Sequence, residues 1–495
     1  MTSPKFSPAQ AIKSSEITDW HIETDVAIVG FGGAGGCAAI EAAEAGAKVV
    51  VFEVASAIGG STALSGGELY LGGSGGTAIQ KQHGFTDSSE NMFDYLMMQH
   101  APQADEEKIR AYVDGAAAHL DWLVERGVPF KGTFLDERLV EPMTDDTLIW
   151  CGNEKAWPEV EQCAPVPRGH VVQMEGMGAG KVLMETLHDN ALSLGVSIQC
   201  ESRVLCLAVS DNGEVEGLIV RQDGKELTCR ATSGVVLCAG GFIMNESMVK
   251  TYAPRLTRAQ PIGNPGDTGS GIQMGVSVGG AAINMHEGFT SIPFYPPATT
   301  TFGIIVTDKG HRFINEDVYH GRVGTHLLEQ NCQRAYLILD VEAYGTYEEM
   351  NFLNAGIVAT GDTIEELEEA LNITAGALSQ TLLIYNRHAA SGEDPLFHKQ
   401  AEWLRPLEAP FVALDVSPDR GCFVPSFTLG GLDTLPTGEV LRPDGSPIEG
   451  LYAAGRTAAG VPRRGAGYSS GISVGDATFS GRRAGASAAL RRRSQ

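Results

Sequence analysis

The chain has 495 residues, of which 43% are apolar and 61 are glycine, and it carries a formal charge of −25. This size and composition suit a folded α/β protein with a large core and exclude a fibrous or disordered chain. The acidic balance argues against nucleic acid and anionic membranes as partners. Nine scattered cysteines without a C-x-x-C pair set aside a disulfide framework and a structural zinc site, so no metal is expected. No window of about 18 uncharged apolar residues offers a membrane span, and a reducing, cytoplasmic location is the expectation.

In chain order, residues 1–20 lack an apolar stretch and read as a loose arm. Residues 24–53, TDVAIVGFGGAGGCAAIEAAEAGAKVVVFE, then parse as a buried strand, a glycine turn, a helix stopped by Gly46 and a second buried strand ending in Glu53. Gly30, Gly32 and Gly35 form G-x-G-x-x-G: the first permits the tight turn, the second lets a pyrophosphate approach the backbone, and the third lets helix and strand pack closely. The helix N-terminus faces the phosphates, and Glu53, 23 residues after Gly30, is placed for ribose hydroxyls. The unit implies a dinucleotide and leaves NAD and FAD open.

Further along, GMGAGKVLMETLHDNALSLGVSI (176–198) reads as a helix packed on this first unit, and GNPGDTGSG (263–271) as a turn entering another helix. GDTIEELEEALNI (361–373) reads as a helix with a solvated acidic face. GAGYSSGISVGD (465–476) crowds glycines around Tyr468, Ser469 and Ser470; without a nucleophile elbow it reads, on its own, as a surface turn, with Asp476 capping the terminal helix. The arginines at 491–493 read as a frayed end.

Nine motifs stand in order: G-x-G-x-x-G at 30–35, GGST at 59–62, SGG at 65–67, GMGAG at 176–180, VVLCAGGF at 235–242, GDTGSG at 266–271, GHRFINE at 310–316, LGGL at 429–432 and GLYAAGR at 450–456. Through them nearly the whole chain resembles the flavoproteins of the fumarate reductase, succinate dehydrogenase and 3-ketosteroid dehydrogenase superfamily. The resemblance implies an α/β fold: a Rossmann-like FAD-binding domain from residues 1–284 and 405–495, with an inserted α+β cap (catalytic) domain at 285–404. It also implies FAD, bound noncovalently, because Ser61 stands where succinate dehydrogenases carry the histidine that bonds the flavin.

The FAD contacts implied by the resemblance are Gly30, Gly32, Gly33, Ala34 and Gly35 in the first turn, with Glu53. In the second glycine loop they are Gly60, Ser61, Thr62, Ser65, Gly66 and Gly67; in the middle, Val204, Ala239, Gly240 and Asp267. Toward the end they are Gly455, Arg456, Gly471, Ser473 and Val474.

The departures from the fumarate enzymes narrow the branch. Where those enzymes place an arginine after the N-E motif, this chain has DVYHGR with Tyr319 and His320; where they place a histidine before LGGL, it has Ser426 and Phe427. Small dicarboxylates need charge-assisted donors, so an apolar ligand with one polar end fits better. The pattern of Tyr468, Ser470 and Gly471 resembles the Δ4-(5α) branch of the 3-ketosteroid dehydrogenases, as do GNEKAWPEV (152–160) and PVPRGH (165–170).

That branch implies an oxidoreductase of steroid catabolism acting on CH–CH groups, with a 3-keto-5α-steroid substrate and an electron acceptor that the residues do not identify. In it, Tyr468 and the Gly471 backbone hold the C3 ketone, Ser470 takes the C4 proton, Tyr319 relays it, and the C5 hydrogen goes to flavin N5. The alternatives are a Δ1-dehydrogenase, a fumarate reductase-like enoate reductase, or an electron-carrier flavoprotein without its own substrate. Arg312 and Glu316 are expected as a structural pair at the domain junction.

Overall fold

The computed structural model describes residues 10–330 and 332–491; the first nine residues of the expected arm, and Arg492 and Arg493, lie outside them. The arm's inner end is docked, with Ile12 and Lys13 pairing in parallel with Ala208 and Val209. Arg491 is not frayed either: it forms ion pairs with Glu214 at 2.6 Å and Glu449 at 3.3 Å.

The strand Ile22–Val29 lies inside a nine-stranded sheet. On one side come Val49–Phe52 and then Ser197–Gln199, all in parallel register. All four residues of Val49–Phe52 are buried, as a strand covered on both faces requires. On the other side runs the thirteen-residue strand Lys225–Leu237. It pairs twice: its first half forms an antiparallel ladder with Val215–Gln222, and Val235–Leu237 run parallel to Leu451–Ala453. The second pairing brings GLYAAGR beside the first glycine turn.

The helix Gly33–Glu44 covers this sheet and is itself covered by the terminal helix Ile472–Leu490. A Cβ at Gly481 or Gly485 would lie 2.2 Å from Ala34 O or Ala38 O, so these two glycines, one helical turn apart, let the helices touch backbone to backbone. The contact fixes where residues 468–474 come to rest.

The inserted segment carries its own antiparallel sheet, ordered Ile304–Thr307, Ala335–Asp340, Phe411–Asp415, Ile357–Gly361. Phe411–Asp415 comes after residue 404, where the insert is expected to end, yet pairs at the centre of this sheet. Arg312 and Glu316 pair at 2.7 Å as expected, with Asp394 and Lys399 completing a buried cluster, and Arg138 donates to Glu316 O at 3.2 Å. Ile364–Ala370 is helical, but its acidic face is not wholly solvated: Glu368 is buried and accepts from Gly376 N and Ser379 N.

A smaller sheet, Glu68–Tyr70, Gly169–Val171, Leu148–Ile149, Phe134–Leu135, has strands of two or three residues, too short for alternation to announce them. No helix among the described residues is long and apolar enough to cross a membrane.

Candidate active site

The three glycines of the first turn do different work. Gly30 has φ +95°, and a Cβ there would meet Cys238 O at 2.6 Å; a Cβ at Gly35 would lie 2.0 Å from Gly30 O. At Gly32 no protein atom comes closer than 3.8 Å. The fold therefore needs the first and third glycines, whereas the second leaves a space that any side chain would fill. The helix that follows has no side-chain cap.

In front of the turn lies a cleft of about 730 Å³. Its wall gathers Gly30, Gly32, Gly33, Ala34 and Glu53 with Gly60, Ser61, Thr62 and Ser65. Across from them stand Val204, Ala239, Gly240, Asp267, Gly455, Arg456, Tyr468, Ser473 and Val474. Glu53 is held at the strand tip by accepting from Phe31 N at 2.8 Å and Ala55 N at 2.9 Å. Ser61 donates to Asp267 Oδ2 at 2.7 Å. Arg456 Nη1 and Ser473 Oγ are buried without a protein partner, which is costly unless a ligand meets them. No histidine lines the cleft.

Four expected contacts are not on this wall. Gly35 packs on Gly30, and a Cβ would lie 2.6 Å from the Ala179 backbone at Gly67, 2.7 Å from the Glu141 carboxyl at Gly66, and 3.0 Å from the backbone of Glu68 and Leu69 at Gly471, where φ is +84°. These glycines serve close packing around the cleft. Asp476 does not cap the terminal helix: that helix begins after Gly471 without a side-chain cap, and buried Asp476 accepts from Val461 N at 3.3 Å.

A second cavity, of about 670 Å³, opens between the 135–156 segment and the insert; Leu139, Trp150, Tyr295, Phe352 and Trp403 are among its apolar lining, and Tyr319 lies on its wall. Both volumes fall in the range of about 300–1,000 Å³ usual for small-molecule sites.

Between the cleft and this cavity runs the 468–471 segment. Tyr468 is packed against Phe289 and Phe427, with ring centroids at 4.4 and 5.6 Å. Its phenol oxygen accepts from Ser473 N at 3.4 Å, which leaves its own O–H free to donate. Burial pushes its pKa up to about 12, so it keeps that proton. The two serines diverge: Ser469 is buried against Tyr95 Oη at 3.2 Å, whereas the Ser470 side chain lies beside those of Tyr319 and Glu68. Burial raises Tyr319 well above the ordinary phenol value.

One loop holds both ends of this arrangement. Ser470 N donates to Cys151 O at 2.7 Å, and Tyr319 N donates to Asn153 Oδ1 at 2.9 Å. Asn153 is fixed in turn by Tyr95 Oη and Gln99 Oε1. The motif GNEKAWPEV thus contains a clamp that its residue types alone do not reveal. Glu68 was missed as well, since a lone glutamate after SGG carries no signal.

A family model described as "FAD binding domain" matches residues 25–474. The chain belongs to this family. The flavoprotein superposes with a TM-score of 0.92, at 43% identity and over 97% of its own length and 99% of the other, on the 3-ketosteroid-Δ4-(5α)-dehydrogenase from Rhodococcus jostii RHA1, solved in complex with 4-androstene-3,17-dione. It is 28% identical to a fumarate reductase (cytochrome) from Shewanella frigidimarina, over 95% of this chain and 77% of that protein. It is 27% identical to a 3-oxo-5-alpha-steroid 4-dehydrogenase from Comamonas testosteroni, over 90% of this chain and 94% of that one. The expected FAD-binding, fumarate reductase-like fold is the one found, and FAD is the cofactor of this family.

The cleft fits that cofactor. Gly32 leaves the opening a phosphate needs, the helix start keeps backbone donors beyond Gly33 N, which Thr62 Oγ1 takes at 3.1 Å, and the orphaned Arg456 Nη1 and Ser473 Oγ await acceptors.

Proposed function

We propose that the protein is an FAD-dependent dehydrogenase that introduces the C4–C5 double bond of 3-keto-5α-steroids. The observation that carries this reading is the meeting of Tyr468, Ser470 and Tyr319 at the seam between the FAD cleft and a cavity whose wall joins aromatic residues such as Trp150, Tyr295 and Trp403 to charged ones such as Arg138 and Glu154. The solved relative at 43% identity, in complex with a 3-ketosteroid, supports the same substrate class.

The first glycine turn, the Ser61–Asp267 pair and the start of the terminal helix would hold FAD, which would supply the acceptor for the C5 hydride. The protein's own residues act on the other half of the substrate. Tyr468 keeps its proton and donates to the C3 ketone oxygen, and a fixed donor aimed at a developing enolate is often the largest single contribution to such a reaction. Polarising the ketone acidifies C4, whose proton Ser470 takes. Phe289 and Phe427 hold the Tyr468 ring so that this donor needs no reorganisation. Tyr319, at the cavity wall, connects Ser470 to solvent through its hydroxyl.

The test is anaerobic addition of 5α-androstane-3,17-dione to the FAD-loaded protein. Bleaching of the flavin with formation of 4-androstene-3,17-dione is expected. A protein that stays yellow with this steroid but is oxidised by fumarate in its reduced form would overturn the reading in favour of an enoate reductase.

A further inference from the structure

A serine hydroxyl is a weak base, because accepting a proton leaves an oxonium unless its own proton departs at the same moment. Ser470 therefore needs an acceptor behind it. Tyr319 can pass a proton on only by giving up its own, because burial holds its phenol in the protonated form. The other neighbour is Glu68, on the short strand Glu68–Tyr70 that lies directly under Gly471. Its side chain is buried, its Oε1 has no hydrogen-bond partner, and its carboxyl faces the Ser470 hydroxyl.

We propose that Glu68 is the proton acceptor behind Ser470, and that Ser470 passes the C4 proton to it. This inference rests on the steroid reading above. As the C4–H bond breaks, its proton bonds to Ser470 Oγ while the former Ser470 proton bonds to the Glu68 carboxylate. The C–H electron pair moves into the C3 enolate held by Tyr468; the two electrons of the oxidation leave with the C5 hydrogen to the flavin. Glu68 ends protonated and the enone is released. Because it acts through Ser470, Glu68 is a positioning residue that does not touch the steroid.

Three further observations agree. The titratable groups interacting with Glu68 are Glu141, Tyr319, Tyr468 and Cys151, with no cation among them. Burial, opposed by the nearby Ser470 hydroxyl and reinforced by Glu141, pushes Glu68 up to about 8, the range in which a carboxylate is an effective base near neutral pH. An exit is present too: Glu141 packs on Gly66, two residues before Glu68, and lines the open second cavity.

The experiment is stopped-flow bleaching of the FAD-loaded protein by saturating 5α-androstane-3,17-dione between pH 6 and 10, with infrared detection of the protonated carboxyl over the same range. The wild-type rate should rise with pH and level off above about 8, in step with loss of one carboxyl band. Glu68→Gln should abolish both the limb and the band and slow bleaching by about 100-fold or more, with KM and FAD content little changed. Glu68→Asp should keep a limb at a reduced rate; it also decides the matter should Glu68→Gln fail to fold. The proposal is overturned if Glu68→Gln retains the wild-type rate, or if either variant keeps the limb and band unshifted. A wild-type protein that the steroid does not bleach at any pH refutes the substrate reading instead; the infrared titration, which needs no substrate, then still decides whether Glu68 holds a proton to about pH 8.

Discussion

Asn153 Oδ1 accepts the backbone N–H of Tyr319 at 2.9 Å, tying the start of the helix His320–Glu329 in the insert to a loop of the FAD-binding part. Since Cys151 of the same loop holds Ser470 N, the loop sets the separation of two residues proposed to share one proton. Asn153→Ala leaves the Tyr319 N–H buried and unpaired, at a cost of about 1–3 kcal/mol. It should slow flavin bleaching by roughly 10- to 100-fold, the scale of a misplacement near 1 Å, while FAD content stays at the wild-type level. An unchanged bleaching rate would mean that Tyr319 is held by its packing alone.

The glycines of the first turn predict a split between folding and cofactor binding. Gly32→Val has room in the protein but occupies the space left for the pyrophosphate, so it should give folded, colourless protein. Gly35→Val places its Cβ against Gly30 O and should give little soluble protein at all. Circular dichroism and flavin absorbance of the two variants make the comparison. In the wild type, acid precipitation should leave the yellow colour in the supernatant, since Ser61 replaces the attaching histidine and no other histidine lines the cleft.

The roles proposed at the seam can be separated by removing single polar atoms. Tyr468→Phe deletes one donor to the enolate and should cost roughly 10²- to 10³-fold in kcat. Ser470→Ala deletes the proton's first acceptor and should cost on the order of 10²- to 10⁴-fold, and Tyr319→Phe should slow the reaction by closing a route to solvent. Ser469→Ala is the control, since that hydroxyl faces Tyr95 in the core. Loss of FAD together with activity in the first three would assign those residues to packing.

How much of this was legible in the sequence depended on whether spacing or tertiary contact carries the information. The first turn was readable because Gly30, Gly32 and Gly35 sit at spacings that only a strand–turn–helix uses, and Tyr468 and Ser470 because their motif survives as a short string. Glu68 and Asn153 act on partners far away in the chain, 166 residues for Asn153 and Tyr319, on strands and loops too short to have a period, so nothing local marks them. Phe411–Asp415 joins the insert's sheet by pairing with Ala335–Asp340, a partnership that the resemblance behind the expected boundary at 404 does not encode. Asp476 looked like a helix cap because it follows glycines, but the helix starts four residues earlier at Ile472.

The last prediction concerns acid stability and the buried His100, the final residue of the helix Ser89–His100. Both of its ring nitrogens are buried without partners. Burial, helped by the charges of Arg463 and Arg464, pushes its pKa down to about 3. The ordinary value near 6.5 applies once the chain unfolds. Between about pH 6.5 and 3 the unfolded state therefore binds a proton that the folded state refuses, and stability falls as pH drops through this window, by about 2 kcal/mol at pH 5 from this residue alone. His170, pushed down to about 4, and His320, to about 3, act in the same direction. Glu68 and Asp476, pushed up to about 8 and about 6, act oppositely, because their folded forms gain protons first. Comparison with His100→Phe isolates the one residue from this sum: the drop in Tm between pH 7 and pH 5 should be smaller in the variant than in the wild type by a few degrees. Equal drops in the two proteins would show that His100 finds a proton-accepting partner in the fold and is not held neutral.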